Sequence, residues 1–244
     1  MWLVTLLLVL TVEAATVKDM VGRDVLVASS APRVVSLVPS ITETLYTIGA
    51  EDQLVGVTTS CDFPAAAAAK PKVGGLVNPS LEAIARLQPD LVLATTEGNR
   101  ETTIQQLDAL GIPTYVVRPN TFDGVLESIA RLGRLTGHEP RAKTLVAELR
   151  RRAARVTEAV KGRTRPRVLY LVWPDPLVVP GRDTLLTELI QMAGGESVSA
   201  GESIKWPRLS LEHAVMTAPE VIVSGSHNRA HVQDALRRWR SQNI

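Results

Sequence analysis

Ser80-Leu81-Glu82-Ala83-Ile84-Ala85-Arg86-Leu87-Gln88-Pro89-Asp90-Leu91-Val92-Leu93 returns in outline 130 positions later. The second copy is Ser210-Leu211-Glu212-His213-Ala214-Val215-Met216-Thr217-Ala218-Pro219-Glu220-Val221-Ile222-Val223. Each copy reads as an N-capping Ser, a short helix, a Pro break and a buried strand. A looser echo links Arg33-Val34 and Leu37-Val38 to Arg167-Val168 and Leu171-Val172. Two matches in the same order predict a chain built as two related halves.

Around the first copy, short β-branched runs alternate with helical patterns. Met20-Val21-Gly22-Arg23-Asp24-Val25 reads as the turn of a small hairpin. Arg33–Val38 is predicted as a buried strand that Pro39 and Ser40 stop, with a helix starting near Thr42. Leu54–Thr58, Leu91–Ala94 and Thr114–Val117 follow as strands. Around the second copy the strands are Arg167–Val172 and Val221–Ser224, and the helices Thr184–Ala193 and Leu211–Thr217. Strands that alternate with helices imply α/β architecture with parallel sheets.

One long helix separates the halves. Pro140 suits a first turn, and Leu145, Val146, Leu149, Ala153, Val156 and Val160 form its apolar stripe. Gly162 can end it. About 22 residues at 1.5 Å each span roughly 33 Å, enough to connect two lobes. The expected organisation is a leader over 1–14, an N-terminal lobe over 15–136, a linking helix over 137–162 and a C-terminal lobe over 163–244. The fold class is two Rossmann-like lobes joined by that helix, with a ligand cleft at the seam, because ligands favour the carboxyl ends of parallel strands and interdomain pockets. The arginines of the helix, Arg150, Arg151, Arg152 and Arg155, read as a solvated face.

The composition narrows the function classes. With 27 basic and 25 acidic residues the net charge is +2, which gives no reason to expect a nucleic-acid partner. The apolar run Trp2–Val12 ends in Val12-Glu13-Ala14-Ala15 and reads as a signal peptide cut after Ala14, although no Lys or Arg precedes it. A buried first strand is the alternative. The run is too short to span a bilayer. The single cysteine, Cys61, leaves no internal disulfide, and none stands at the leader junction to carry a lipid. A soluble, monomeric periplasmic protein is expected. There is no Gly-rich phosphate loop, nucleophile elbow or zinc signature, so no catalytic residue, metal or catalytic cofactor is assigned. His227 and His231 stand i, i+4 but lack further ligands at suitable spacing and read as surface histidines.

The chain resembles the helical-backbone substrate-binding proteins of ABC importers, the group for vitamin B12, iron-siderophores and haem, and within it the vitamin B12-binding members. The resemblance rests on Arg33-Val-Val-Ser-Leu-Val-Pro-Ser-Ile-Thr-Glu43, Gly56-Val57 with Asp62-Phe63-Pro64, and Leu81-Glu82 through Pro89-Asp90-Leu91-Val92. It continues in Leu110-Gly111-Ile112-Pro113, Gly194-Gly195, and Trp206-Pro207 before Ser210-Leu211-Glu212. It runs from about Val17 to Trp239. It implies a corrinoid ligand and a permease dimer with ATPase subunits as partners. Members usually continue some tens of residues past a position like Trp239, so a C-terminal lobe shortened at its end is expected.

The resemblance also assigns candidate residues. Glu82 and Glu212 match the exposed glutamates that dock each lobe onto permease arginines; helix N-terminal placement alone is the other account of them. Trp206 matches a position that lines the cleft, where a flat apolar wall suits a large ring. Trp173 stands at a strand end and can substitute, from the other lobe, for the aromatics that Ser60, Leu76 and Thr95 replace. Ser60, Leu76 and Thr95 fall where relatives can carry Tyr or Trp. Thr58, Thr59 and Thr96 offer hydroxyls beside strand ends, either to a ligand or to the following helices. Haem or a ferric chelate is the alternative ligand; it would favour Arg, Tyr or His in the cleft, and Arg118 and Arg182 are the only basic residues expected near strand ends. An enzyme acting in the cleft is the remaining alternative. Cys61 reads as a small buried apolar side chain.

Overall fold

The computed structural model describes residues 14–28 and 31–225, together with Gln233 and Arg237. The leader apart from Ala14, the pair His227 and His231, and Trp239 lie outside the described residues. The chain divides into two compact units, residues 1–119 with 126–146 and residues 120–125 with 147–244.

The first unit opens with an antiparallel hairpin, β1 (Ala14–Lys18) and β2 (Asp24–Ala28). Asp19 builds its turn. Its carboxylate is buried, accepts the N–H groups of Val21 (3.0 Å) and Arg23 (2.9 Å), and pairs with Arg23 Nε at 2.8 Å. Arg23 then reaches Asp108 (2.6 Å) and the carbonyl of Thr114 (2.5 Å), so one buried charge fastens the hairpin to the sheet. A buried carboxylate with this many partners is costly to lose, because the donors around it stay buried and unpaired. Asp19→Ala is expected to lower stability by about 3 kcal/mol, measured as a fall in the urea midpoint with an unchanged slope.

The sheet follows. β3 (Val34–Ser36), α1 (Pro39–Ile48), β4 (Leu54–Val57), α2 (Ala65–Ala68), α3 (Leu81–Arg86), β5 (Leu91–Thr95), α4 (Glu101–Ala109) and β6 (Thr114–Val117) alternate along the chain. The strands pair in the order β4-β3-β5-β6, all parallel. Parallel strands covered on both faces are apolar throughout, and every residue of β3, β5 and β6 is buried. Val35, Leu37, Val92, Ala94 and Val116 of the sheet pack on Ile84, Ile104 and Leu107 of the helices. The sequence placed the start of α1 near Thr42; it starts at Pro39, whose ring fits a first helical position, and closes at Gly49 with φ +81°.

Two helices carry the chain onward. α5 (Phe122–Leu135) begins among residues grouped with the second unit, where the N–H of Phe122 donates to Glu188 at 2.7 Å. α6 (Glu139–Val160) has 22 residues; those up to Val146 group with the first unit and the rest with the second.

The second unit contains β7 (Arg167–Leu171), a short ribbon of β8 (Trp173–Pro174) and β9 (Leu177–Val178), then α7 (Leu185–Met192), β10 (Glu196–Ser197), α8 (Leu211–Met216) and β11 (Val221–Ser224). Its parallel sheet runs β10-β7-β11. Leu169 and Leu171 of the sheet pack on Leu177, Val179 and Ala214.

The sequence repeat is a repeat of structure down to single hydrogen bonds. Ser80 caps α3 by accepting the N–H of Ala83 at 3.2 Å, and Ser210 caps α8 by accepting that of His213 at 3.1 Å. Both helices have six residues, and the residue before each following Pro, Gln88 and Ala218, has φ +44°. The residue after each Pro is an acid that accepts the backbone N–H of an arginine at the head of the neighbouring strand, just before β3 in one copy and first in β7 in the other. The N–H of Arg33 donates to Asp90 and that of Arg167 to Glu220, both at 2.9 Å. The same arginines fold back onto the helix ends, Arg33 onto the carbonyl of Gln88 (3.1 Å) and Arg167 onto that of Ala218 (2.7 Å). Each latch neutralises the carbonyl-rich end of a short helix and fixes the strand that follows it.

Candidate functional site

In the first unit, the four strands of the parallel sheet present their carboxyl ends at one edge. The loops there carry Leu37, Thr58–Ser60, Thr95–Thr96 and Arg118, and the 74–79 loop joins them, since the N–H of Thr59 donates to Gly74 at 2.9 Å. Asn99, which sequence reasoning passed over, ties three of these loops. Its Nδ2 donates to the carbonyls of Leu37 (3.2 Å) and Leu76 (3.0 Å), and its Oδ1 accepts the N–H of Thr95 at 2.9 Å. Gly98 lets Leu76 lie close; a Cβ there would sit 3.3 Å from the Leu76 side chain. An Asn just before a helix reads as a helix start in sequence, and only its three partners reveal its other task.

Ser60, Leu76 and Thr95 therefore share one edge. Ser60 is exposed, Leu76 is half-buried, and Thr95 is buried with its Oγ1 accepting the N–H of Glu97 at 3.2 Å. That hydroxyl serves the turn, as does Thr58, whose Oγ1 lies 3.2 Å from Cys61 Sγ. Cys61 itself is fully buried, with Thr42 Oγ1 at 3.3 Å. Arg118 is exposed just beyond β6.

In the second unit, the residues after β7 form a ribbon of three extended segments. Trp173 pairs with Val178, and Val178 pairs with Arg208. The third segment is held by Val179 N–H to Pro207 O (3.1 Å), Gly181 N–H to Lys205 O (2.8 Å) and Leu209 N–H to Leu177 O (2.9 Å). Strand side chains alternate between faces. Leu177, Val179 and Leu209 face the core, so Trp173, Val178, Arg208 and Trp206 share the opposite face. Both tryptophans are open, 46% and 40% exposed. Two strand spacings and a two-residue step put their Cα atoms roughly 12 Å apart. The Trp173 indole N–H donates to the carbonyl of Asp175 at 2.9 Å, which orients the ring. Gly181 is required beside them, because a Cβ there would meet the carbonyl of Ile204 at 2.0 Å. Arg182 is held in the same segment, donating to the carbonyl of Gly201 at 3.1 Å.

Glu82 and Glu212 stand at equivalent second positions of α3 and α8, both exposed. They differ in company. Glu82 pairs with Arg86 at 2.5 Å, whereas the equivalent position on α8 is Met216. The Glu212 carboxyl is held below its ordinary pKa by its own backbone N–H and by the Ser210 hydroxyl, so it stays charged to lower pH.

The sequence of this chain matches the periplasmic binding protein family over residues 34–240. The chain belongs to that family. The vitamin B12-binding protein of Yersinia pestis (strain Pestoides F) is 31% identical over 216 residues, covering 88% of this chain and 76% of the relative. Among solved structures, the periplasmic vitamin B12-binding protein of Vibrio cholerae superposes with a TM-score of 0.76 at 25% identity, over 87% of this chain and 85% of the other. The periplasmic heme-binding protein RhuT of Roseiflexus sp. RS-1 superposes with a TM-score of 0.75 at 27% identity, over 86% and 82%. In this periplasmic binding protein, no described helix is long and apolar enough to cross a membrane. Among its described residues no three His, Cys, Asp or Glu side chains converge to hold a metal.

Proposed function

We propose that this chain is an exported carrier that binds a corrinoid and delivers it to the permease of an ABC importer, without transforming it. The supporting observation is the pair Trp173 and Trp206, exposed on one face of one ribbon. A large planar macrocycle is recognised by flat apolar walls with a few polar groups at its rim. Two ligand-facing surfaces are proposed, one in each unit: the tryptophan face, and the strand-end loops with Ser60, Leu76 and Thr95. The 31% identity to a vitamin B12-binding protein points the same way. Glu82 and Glu212 are proposed as the permease contacts.

Haem is the second reading, favoured by the likeness to a heme-binding protein. Haem carriers need an axial donor for the iron. Of the tyrosines, Tyr115 is buried against Arg131 at 3.0 Å, the Tyr46 hydroxyl is buried, and Tyr170 is half-buried. The 31% identity to a vitamin B12-binding protein is what favours the corrinoid. Calorimetric titration decides between them. Cyanocobalamin is expected to bind with roughly one-to-one stoichiometry and to survive competition by excess hemin. Saturable hemin binding with no heat from cyanocobalamin would move the assignment to haem.

A further inference from the structure

The second half of α6 and the segment after it carry a charge that the carrier reading leaves unused. Residues 150–167 hold eight basic side chains against Glu158 alone, a net +7 in a chain whose total is +2. The remainder is therefore net −5. Sequence reading treats the four arginines of the helix as a solvated face. The structure adds where they stand and what they lack. At 100° per residue, Leu149, Ala153 and Val160 fall on the inner side of α6 and are half-buried. Arg151 and Arg155 fall opposite, with Arg150 and Arg152 on the two flanks. All four are exposed, and so are Lys161, Arg163 and Arg165 beyond them.

Some of this charge is accounted for within the chain. Arg152 pairs with Glu148, and Arg167 with Glu220 at 3.5 Å. Cations near a helix C-terminus also favour the helix itself, which explains Lys161 and Arg163. Neither account covers Arg151, Arg155 or Arg165. Among the described residues, the side chains of Arg151, Arg155, Arg163 and Arg165 have no ion-pair or hydrogen-bonding partner. Val156 lies among them, 47% exposed.

We propose that this basic stretch is a docking surface for an anionic phospholipid bilayer. Guanidinium groups match phosphodiester oxygens in bidentate geometry, and clustered basic residues hold a protein at a negatively charged membrane surface. The stretch contains no aromatic residue, whereas single-stranded nucleic acid is gripped by aromatic stacking beside the basic groove. The choice of a bilayer over a nucleic acid also rests on the carrier reading, since a carrier must visit a permease in a membrane. Surface attachment would confine its search for that permease to two dimensions.

The test is co-sedimentation of the mature protein with vesicles rich in phosphatidylglycerol and, separately, with pure phosphatidylcholine vesicles. Attraction of this kind is screened by salt. Binding to the anionic vesicles alone is expected, with loss at about 0.5 M NaCl. The quadruple variant Arg151→Ser, Arg155→Ser, Arg163→Ser, Arg165→Ser is expected to bind at least tenfold more weakly while its circular dichroism is unchanged. Equal binding by the variant, or no binding by the native protein, overturns the proposal. So does tighter binding of duplex DNA than of anionic vesicles. Cyanocobalamin titration of both proteins runs alongside; a missing corrinoid signal with vesicle binding intact removes the carrier reading and leaves the surface standing.

Discussion

Trp173→Ala combined with Trp206→Ala weakens corrinoid binding by about a thousandfold, on an expectation of about 2 kcal/mol for each indole covered by the ligand. Both rings are open on the free protein, so covering them removes apolar surface from water that folding left exposed. Both project from a ribbon whose inner face is filled by Leu177, Val179 and Leu209, so truncation leaves the core intact. The thermal midpoint is therefore expected to move little. The single variants should each lose about thirtyfold, and roughly additively if the rings do not touch. Tryptophan fluorescence quenching by cyanocobalamin, with calorimetry for the double variant, measures the loss. Wild-type affinity in the double variant would place the ligand elsewhere in the protein.

Glu82→Ala with Glu212→Ala abolishes uptake while leaving ligand affinity unchanged. Each carboxylate is exposed and outside the tryptophan ribbon, and removing one partner of a buried interfacial ion pair costs 2–5 kcal/mol in typical cases, a range roughly applicable here. The two positions should not contribute equally. Glu82 must give up Arg86 to take a new arginine, although an exposed pair of this kind contributes little. Glu212 has no such partner to exchange, and the Ser210 hydroxyl and its own N–H favour its charged form. The folded-state pKa of Glu212 is lowered, so its charge persists as pH falls toward the ordinary carboxylate range and is lost only below it. Glu212→Ala alone should therefore impair uptake more than Glu82→Ala alone. Transport into membrane vesicles bearing the cognate permease reads this directly, with calorimetry as control. Reduced corrinoid affinity in the double variant would reassign both carboxylates to the ligand.

The duplicated helix–strand unit was legible because its signals are local: a capping Ser, a Pro stop and a β-branched run lie within fourteen residues. The strand edges that carry Ser60 and Thr95 were legible for the same reason. The latches were not, because Arg33 meets Asp90 across 57 positions and Arg167 meets Glu220 across 53. The tryptophan ribbon was hidden too. Trp173 reads only as the end of the strand before it, and the third segment of the ribbon lies about thirty residues further on without a strand period of its own. Trp173 and Trp206 were each visible in sequence; their shared face exists only once Val178 is paired on both sides. α1 begins three residues before the sequence placed it, because Pro39 both ends a strand and starts a helix.

Asn99 has a consequence for how such a protein changes its taste. One amide holds the Leu37, Leu76 and Thr95 backbones at fixed spacing, and it does so through main-chain groups alone. Side chains on those loops can then be exchanged without disturbing the scaffold that presents them. On the proposed ligand-facing role of these loops, selectivity and architecture are separately adjustable, and a change of cargo needs only a handful of tips swapped.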